Sequence, residues 1–343
     1  MAVRTDSDLD PTQALALVLD GQDLTRVQAR ALFEQLMAGE MAPAYTGALL
    51  AALRAKGESV GEVAGAALAM RDAAIAVEAP PRTVDLCGTG GDGSGTVNVS
   101  TAAALVVAAA GVPVAKHGNR AISSKAGSAD LLASLGVPLD LDPQAAAVML
   151  AERKFVFLFA PHYHPAMRHA VPVRRALGVR TIFNLLGPLT NPARVRRQLL
   201  GVYDRRWVLP LAEVLGELGH ERALVVYGED GLDEISLSAE TYGAEWLDGT
   251  VRPIRLTPEE FGFRRVDRRD LAGGDVDVNR EKILAALCQR QGPIADWITL
   301  NAGAALRVAQ DLPWTDAIEW ARETIRSGKP LALIDSFDAE ASS

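Results

Sequence analysis

Cysteine is nearly absent from this chain. Its 343 residues hold only Cys87 and Cys288. Two thiols that far apart in sequence exclude a disulfide framework and a cysteine zinc cluster, and they suit a reducing compartment. Positive charge is also short. Lys and Arg number 35 against 43 Asp and Glu, a formal net charge of −8. That balance argues against general nucleic-acid binding, which needs clustered cations, while leaving a local basic pocket open. No apolar run reaches membrane-spanning length; the Ala-rich stretch from Thr101 to Ala115 is too short. The first ten residues carry Asp6, Asp8 and Asp10 and no apolar segment, unlike a signal peptide. A cytoplasmic protein without a membrane partner is expected.

What is present is ample material for a core, with 49% hydrophobic residues. The length allows two domains, or one large domain with an appendage. Residues 1–73 read as helices. Thr25-x-x-Gln28 and Ser59-x-x-Glu62 are capping boxes, each followed by apolar residues at helical spacing. Ala44 to Arg54 is a helix candidate between them. From Thr83, short apolar runs alternate with helical stretches. The runs are Thr83–Leu86, Val112–Ala115, Phe155–Leu158, Leu199–Val202 and Ala223–Tyr227. The expected fold class is therefore α/β: a small helical domain plus a larger α/β domain with a largely parallel central sheet.

Between the first run and the Ala-rich helix lies Gly88-Thr89-Gly90-Gly91-Asp92-Gly93-Ser94-Gly95-Thr96-Val97-Asn98. Five glycines allow positive φ and bring backbone N–H groups near a ligand. Ser100 and Thr101 stand where a helix N-cap is expected, and helix N-termini attract anions. A phosphate cradle fits better than a plain turn, which needs fewer glycines. The loop lacks the Gly-x-x-x-x-Gly-Lys pattern, and its Gly-x-Gly-x-x-Gly match is a weak dinucleotide signal. Asp, Ser and Thr among glycines suit a phosphorylated sugar.

Three further segments carry chemistry. Lys116-His117-Gly118-Asn119-Arg120, continuing to Lys125, reads as a cationic loop at a strand's C-terminal end, where ligands of open α/β sheets gather. Glu229, Asp230, Asp233 and Glu234 crowd one turn, and such acids can share Mg²⁺ with substrate phosphates or, if suitably spaced, hydrolyse glycosides. His162, His164 and His169 allow a zinc site but lack a nearby ligand set. Arg174 or Arg175 can grip a carboxylate by a bidentate pair.

Taken together and in order, these blocks resemble the anthranilate phosphoribosyltransferase family. The match includes Gly88–Gly93, Asn98–Thr101, Lys116–Arg120, Ser128–Asp130, His164–Met167, Arg180–Leu189 and Gly228–Glu234, and extends from about Leu24 to Gly328. The resemblance implies the nucleoside phosphorylase/phosphoribosyltransferase type of fold. Residues 1–73, with 170–192, would form the helical domain, and 74–169 with 193–343 the α/β domain. It implies a homodimer, and transfer of the phosphoribosyl group of phosphoribosyl pyrophosphate to the amine of anthranilate. Gly88, Gly91, Asp92, Thr96, Asn98, Val99, Ser100 and Thr101 would line the phosphoribosyl pyrophosphate site. Lys116, His117, Gly118, Asn119, Arg120, Ala121, Ile122, Ser123, Ser124 and Ser128 would close over the diphosphate, Lys116 assisting the leaving group. Ser100, Asp233 and Glu234 would hold Mg²⁺. Asn119 and Arg174 would contact anthranilate. The chain departs from the family's usual residues at Val97, Ala126 and His162. Alternatives on the same scaffold are a pyrimidine nucleoside phosphorylase and a non-enzymatic nucleic-acid-binding protein.

Overall fold

The structure, a computed structural model, describes residues 10–120 and 126–341. Four helices open it: α1 (Pro11–Leu19), α2 (Arg26–Ala38), α3 (Pro43–Lys56) and α4 (Val60–Asp72). Both capping boxes close. Thr25 Oγ1 accepts from the Gln28 amide at 3.3 Å and Gln28 Oε1 from the Thr25 amide at 2.9 Å. Ser59 and Glu62 repeat the exchange at 3.3 and 2.9 Å. The buried Glu62 also accepts from the Leu24 amide at 3.0 Å, which ties the start of α4 to the start of α2. Small residues bring these helices together: a Cβ on Gly65 would overlap the Arg26 carbonyl.

The sheet follows. In chain order come β1 (Val84–Gly88), α5 (Val99–Ala109), β2 (Val114–Gly118), α6 (Ser128–Ser134), α7 (Pro143–Arg153) and β3 (Phe155–Phe159). Next are α8 (Ala160–Tyr163), α9 (Val171–Leu177), α10 (Phe183–Leu189), β4 (Arg197–Gly201), α11 (Val208–Glu217) and β5 (Arg222–Gly228). The hairpin β6 (Thr241–Leu247) and β7 (Thr250–Leu256) precedes α12 (Val276–Gln289), α13 (Pro293–Gln310), α14 (Trp314–Arg326) and α15 (Lys329–Ala341). Seven strands lie in the order β3-β2-β1-β4-β5-β6-β7. The first five are parallel and their apolar runs are buried on both faces, as a helix-covered parallel sheet requires.

One face of the sheet packs on α5, α12, α13 and α14 around Trp297. The other packs on α11 and the N-terminal helices, and the same core contains Val173 of α9 and Phe183 and Leu186 of α10. Phe33 of α2 meets Phe183 at 5.8 Å between ring centroids. The chain thus leaves the helical bundle after α4, returns to pack against it through α9 and α10, and leaves again for β4.

Three local expectations change. Strand β2 starts after Pro113, which has no N–H for a ladder, and runs through Lys116, His117 and Gly118. Lys116 and His117 are therefore buried strand residues rather than members of a cationic loop. Helix α5 starts at Val99 with Asn98 in the cap position, so Ser100 and Thr101 belong to its first turn. The antiparallel β6–β7 hairpin was not foreseen, although Asp248-Gly249, both at positive φ, is a favoured two-residue hairpin turn.

Candidate active site at the switch point of the sheet

After β1 the chain builds β2 and β3 on one side and then returns to place β4 on the other. Such a reversal opens a crevice at the C-terminal ends of the two central strands. Gly88 and Gly201 end those strands in register. The turn after β5 folds back over both. A Cβ on Gly88 would strike the Asp233 carboxylate, and one on Gly201 would overlap the Asp233 carbonyl oxygen. Two glycines thus admit the acidic turn to the crevice.

The glycine loop is fastened to this floor. The Thr89 amide donates to the Gly201 carbonyl at 2.9 Å, and Thr89 Oγ1 accepts from the Tyr203 amide at 2.9 Å. The Gly90 amide donates to Asp233 Oδ2 at 2.8 Å. Gly90, Gly91, Gly93 and Gly95 all take positive φ, which a side chain would strain. Asp92 Oδ1 accepts from the Ser94 amide at 3.1 Å, and the Ser94 and Thr96 hydroxyls lie 3.0 Å apart. The second half of the loop leans on residues 271–279. Val97 N donates to the Leu271 carbonyl at 3.1 Å and Gly273 N to the Gly95 carbonyl at 2.8 Å. Asn98 Oδ1 accepts from Asn279 Nδ2 at 2.9 Å, while Asn98 Nδ2 donates to the Ala126 carbonyl at 3.1 Å. The Asn98 side chain therefore braces two loops. Val99 and Thr101 are buried behind it.

The four acids of the turn divide. Glu229 pairs with Arg205 at 3.2 Å, and Asp230 accepts from Ser236 Oγ at 2.7 Å and from Ser238 Oγ. Those two shape the turn. Asp233 and Glu234 point inward, and burial raises the pKa of both carboxyls well above the usual range. Asp92 raises Asp233 further, and Asp233 raises Glu234, while Lys116 and the Ser100 hydroxyl act the other way on Glu234. Crowded, dehydrated carboxylates favour the arrival of a cation, and an oxygen-only donor set suits a hard one such as Mg²⁺. Among the described residues no three His, Cys, Asp or Glu side chains form a ready metal cage. Mg²⁺ here would complete its shell with water and substrate phosphate.

Lys116 reaches from β2 to donate to the Leu86 carbonyl of β1. Beside it lies Asp85, fully buried, pushed up to about 6 by dehydration and held down in part by the Lys116 charge. Asp85 accepts from the His117 amide at 3.3 Å and from Asn191 Nδ2 at 2.8 Å. Asn191 Nδ2 also donates to the Ala115 carbonyl at 2.8 Å. The sequence singled out neither Asp85 nor Asn191.

Other expected residues gather at the end of β2. A Cβ on Gly118 would come within 2.6 Å of Ser128 Oγ, and Ser128 Oγ donates to the Asn119 carbonyl at 3.3 Å. Arg120 pairs with Asp130 at 3.1 Å and stands over the Phe159 ring. Ala121, Ile122, Ser123 and Ser124 lie outside the described residues. Arg174 on α9 sits 5.1 Å over the Phe183 ring, and dehydration lowers its pKa. Arg175 is exposed.

The three histidines of the zinc alternative do not converge. His162 pairs with Asp140 at 3.1 Å, His169 packs at Gly39, and His164 meets His117 at 5.1 Å between rings. Burial pushes His117 down to about 3 and His164 to about 4, and Nε2 of each has no partner among the described residues. A lowered folded pKa contributes stability that is complete above the unfolded value near 6.5 and is lost as pH falls toward the folded value. His164→Asn removes a buried ring packed 5.1 Å from His117 and should therefore be destabilised at pH 7. Its deficit against the unmutated protein should shrink below pH 6.5, by up to about 1.4 kcal/mol per pH unit. Urea titrations of both proteins from pH 7 to pH 5 measure this, and a constant deficit contradicts it.

Residues 80–331 match the a/b domain of the glycosyl transferase family, and residues 12–74 match its helical bundle domain. Fold and crevice together are those of a glycosyl transferase. Anthranilate phosphoribosyltransferase of Afipia carboxidovorans is 52% identical over 295 residues, covering 86% of this chain and 88% of the relative. The crystal structure of anthranilate phosphoribosyltransferase from Thermus thermophilus matches with a TM-score of 0.90 at 44% identity, covering 96% of this chain and 99% of that one. The enzyme from Saccharomyces cerevisiae, solved in complex with PRPP and Mg, matches with a TM-score of 0.87 at 27% identity, covering 99% and 100%. This chain belongs to the anthranilate phosphoribosyltransferase family.

Proposed function

We propose that this chain transfers the phosphoribosyl group of phosphoribosyl pyrophosphate to the amine of anthranilate. The products are N-(5-phosphoribosyl)anthranilate and pyrophosphate, a step of tryptophan biosynthesis. The observation that carries this is the union of a glycine loop with two part-buried acids, joined by the 2.8 Å bond from Gly90 to Asp233 at the switch point. That combination suits a diphosphate accompanied by a cation.

In the reaction the bond from ribose C1 to the diphosphate oxygen breaks, and the anthranilate nitrogen bonds to C1 and releases a proton. The aryl amine is already neutral near pH 7, so no strong protein base is required. The chain contributes placement and charge. Gly88, Gly91, Asp92, Thr96 and Ser100 serve the phosphoribosyl side, and Ser128 the diphosphate. Lys116 adds positive potential as negative charge grows on the leaving group. Asp233, Glu234 and Ser100 would hold Mg²⁺, which supplies charge neutralisation when bound. Alignment of amine and sugar is worth at most roughly 7–11 kcal/mol.

Arg174 is the proposed partner of the anthranilate carboxylate, with Asn119 nearby in function. Its guanidinium has an aromatic neighbour and no carboxylate pair among the described ion pairs. A charge-assisted hydrogen bond contributes about 1.5–3 kcal/mol, so Arg174→Ala should raise KM for anthranilate roughly 10- to 100-fold. KM for phosphoribosyl pyrophosphate should change little. Loss of anthranilate fluorescence reads both, with and without Mg²⁺. Absence of any loss that requires both substrates would defeat the functional reading itself.

The partner in solution is proposed to be a second copy of this chain, docked through the helical bundle. Leu19 is 69% exposed and Val179 57%, and Val27 and Val171 are exposed on the same bundle. Sedimentation equilibrium tests this: a single species at monomer mass at micromolar concentration overturns it.

A further inference from the structure

Arg180 lies between α9 and α10, on the part of the chain that packs with the helical bundle. Its guanidinium crosses to the α/β side, where Nη2 donates to the Gly91 carbonyl of the glycine loop. The same guanidinium stands 3.9 Å over the Tyr203 ring. Tyr203 follows β4, and its amide donates to Thr89 Oγ1 at 2.9 Å. Arg180 therefore holds the glycine loop at one end, and Tyr203 holds both Arg180 and the start of that loop. Gly91 has a φ of +74° and leaves room for the guanidinium; a Cβ there would lie 3.0 Å from Arg180 Nη2.

We propose that Arg180, seated on Tyr203, is a positioning residue that sets the conformation of the phosphate-binding loop from the helical bundle. The geometry explains how. In a trans peptide the carbonyl and the next N–H point in opposite directions. Arg180 draws the Gly91 carbonyl toward the bundle, so the Asp92 amide N–H is turned the other way. The donor reaches a neutral carbonyl rather than a carboxylate. A planar guanidinium can stack and donate at once, which a lysine ammonium does not do. The loop's glycines have no intrinsic preference for one shape. An external brace is the physical means of preselecting one and reducing the ordering cost of binding.

This inference rests on the phosphoribosyltransferase reading for its kinetic test, and it has a second test that does not. Arg180→Ala and Tyr203→Ala should each raise KM for phosphoribosyl pyrophosphate about tenfold, with KM for anthranilate changed less than about twofold. The double variant should be no worse than the more impaired single variant, because the two side chains act as one unit. A direct charge contact with substrate predicts instead that Arg180→Lys retains activity and that the Tyr203 effect adds to that of Arg180. Either result overturns the brace.

Amide hydrogen exchange over Gly88–Asn98 without substrate supplies the independent readout. Exchange should quicken about tenfold in both single variants while segments of β5 and α13 stay as in the parent protein. Unchanged loop exchange overturns the proposal, whatever the parent protein catalyses. Should Arg180→Ala fail to fold, Arg180→Gln keeps part of the stem and a donor, and the same exchange comparison decides. Failure of the parent protein to consume anthranilate would remove the functional reading and leave the exchange result to judge the brace.

Discussion

Asp233→Asn combined with Glu234→Gln is expected to cut turnover by roughly 10²–10³, the scale seen when preorganised transition-state electrostatics are removed. The loss should be greatest at low Mg²⁺ and partly recovered at high Mg²⁺. The amides preserve shape, and Asn can still offer an oxygen to the Gly90 amide. Stability should move the other way. Both acids have folded pKa values raised by burial and by a neighbouring carboxylate, Asp92 for Asp233 and Asp233 for Glu234, so their ionised forms cost folding free energy at neutral pH. Amides remove that cost, and the melting temperature should hold or rise while activity falls. A variant with undiminished turnover at low Mg²⁺ would remove these acids from the reaction.

Gly201→Ala should be the most damaging change that touches no substrate group. The added Cβ overlaps the Asp233 carbonyl oxygen, which is backbone and cannot rotate aside. The acidic turn must lift or β4 must shift. Overpacking of this kind costs about 1–3 kcal/mol, occasionally more. Activity should fall at least tenfold beyond what any loss of folded protein explains, because Asp233 moves from the loop it binds. Urea denaturation gives the first quantity and steady-state rates on folded protein the second. Parent-like rates in a stable variant would show that the turn tolerates displacement.

The sequence was most legible where chemistry is local. Thr25-x-x-Gln28 and Ser59-x-x-Glu62 announced two helix starts because a capping box needs only four residues. The apolar runs announced the parallel strands because burial on both faces favours apolar residues at successive positions. The glycine loop and Asp233-Glu234 were visible as segments, and their meeting, which depends on strand order, was implied by the family resemblance alone. Gly201 looked like one glycine in an apolar run; only the folded turn above it shows why a side chain is excluded. Arg180 stood inside a recognised block without a role, since its partners Gly91 and Tyr203 lie far away in sequence. Asp85 and Lys116 were separated by the assumption that Lys116 lay in a loop. A strand position puts its side chain against β1.

Strand order also dictates when the crevice comes into being during synthesis. Residues 84–118 emerge from the ribosome early, yet β1 must wait for Arg197–Gly201 before its second neighbour exists. Until then the growing chain presents an apolar strand edge beside a loop that lacks its contacts with Gly201 and Tyr203. Such distant pairings are slow to form and expose surfaces that invite association. The nascent chain should therefore need shelter until β4 is made, and translation stalled before Arg197 should yield an aggregation-prone intermediate.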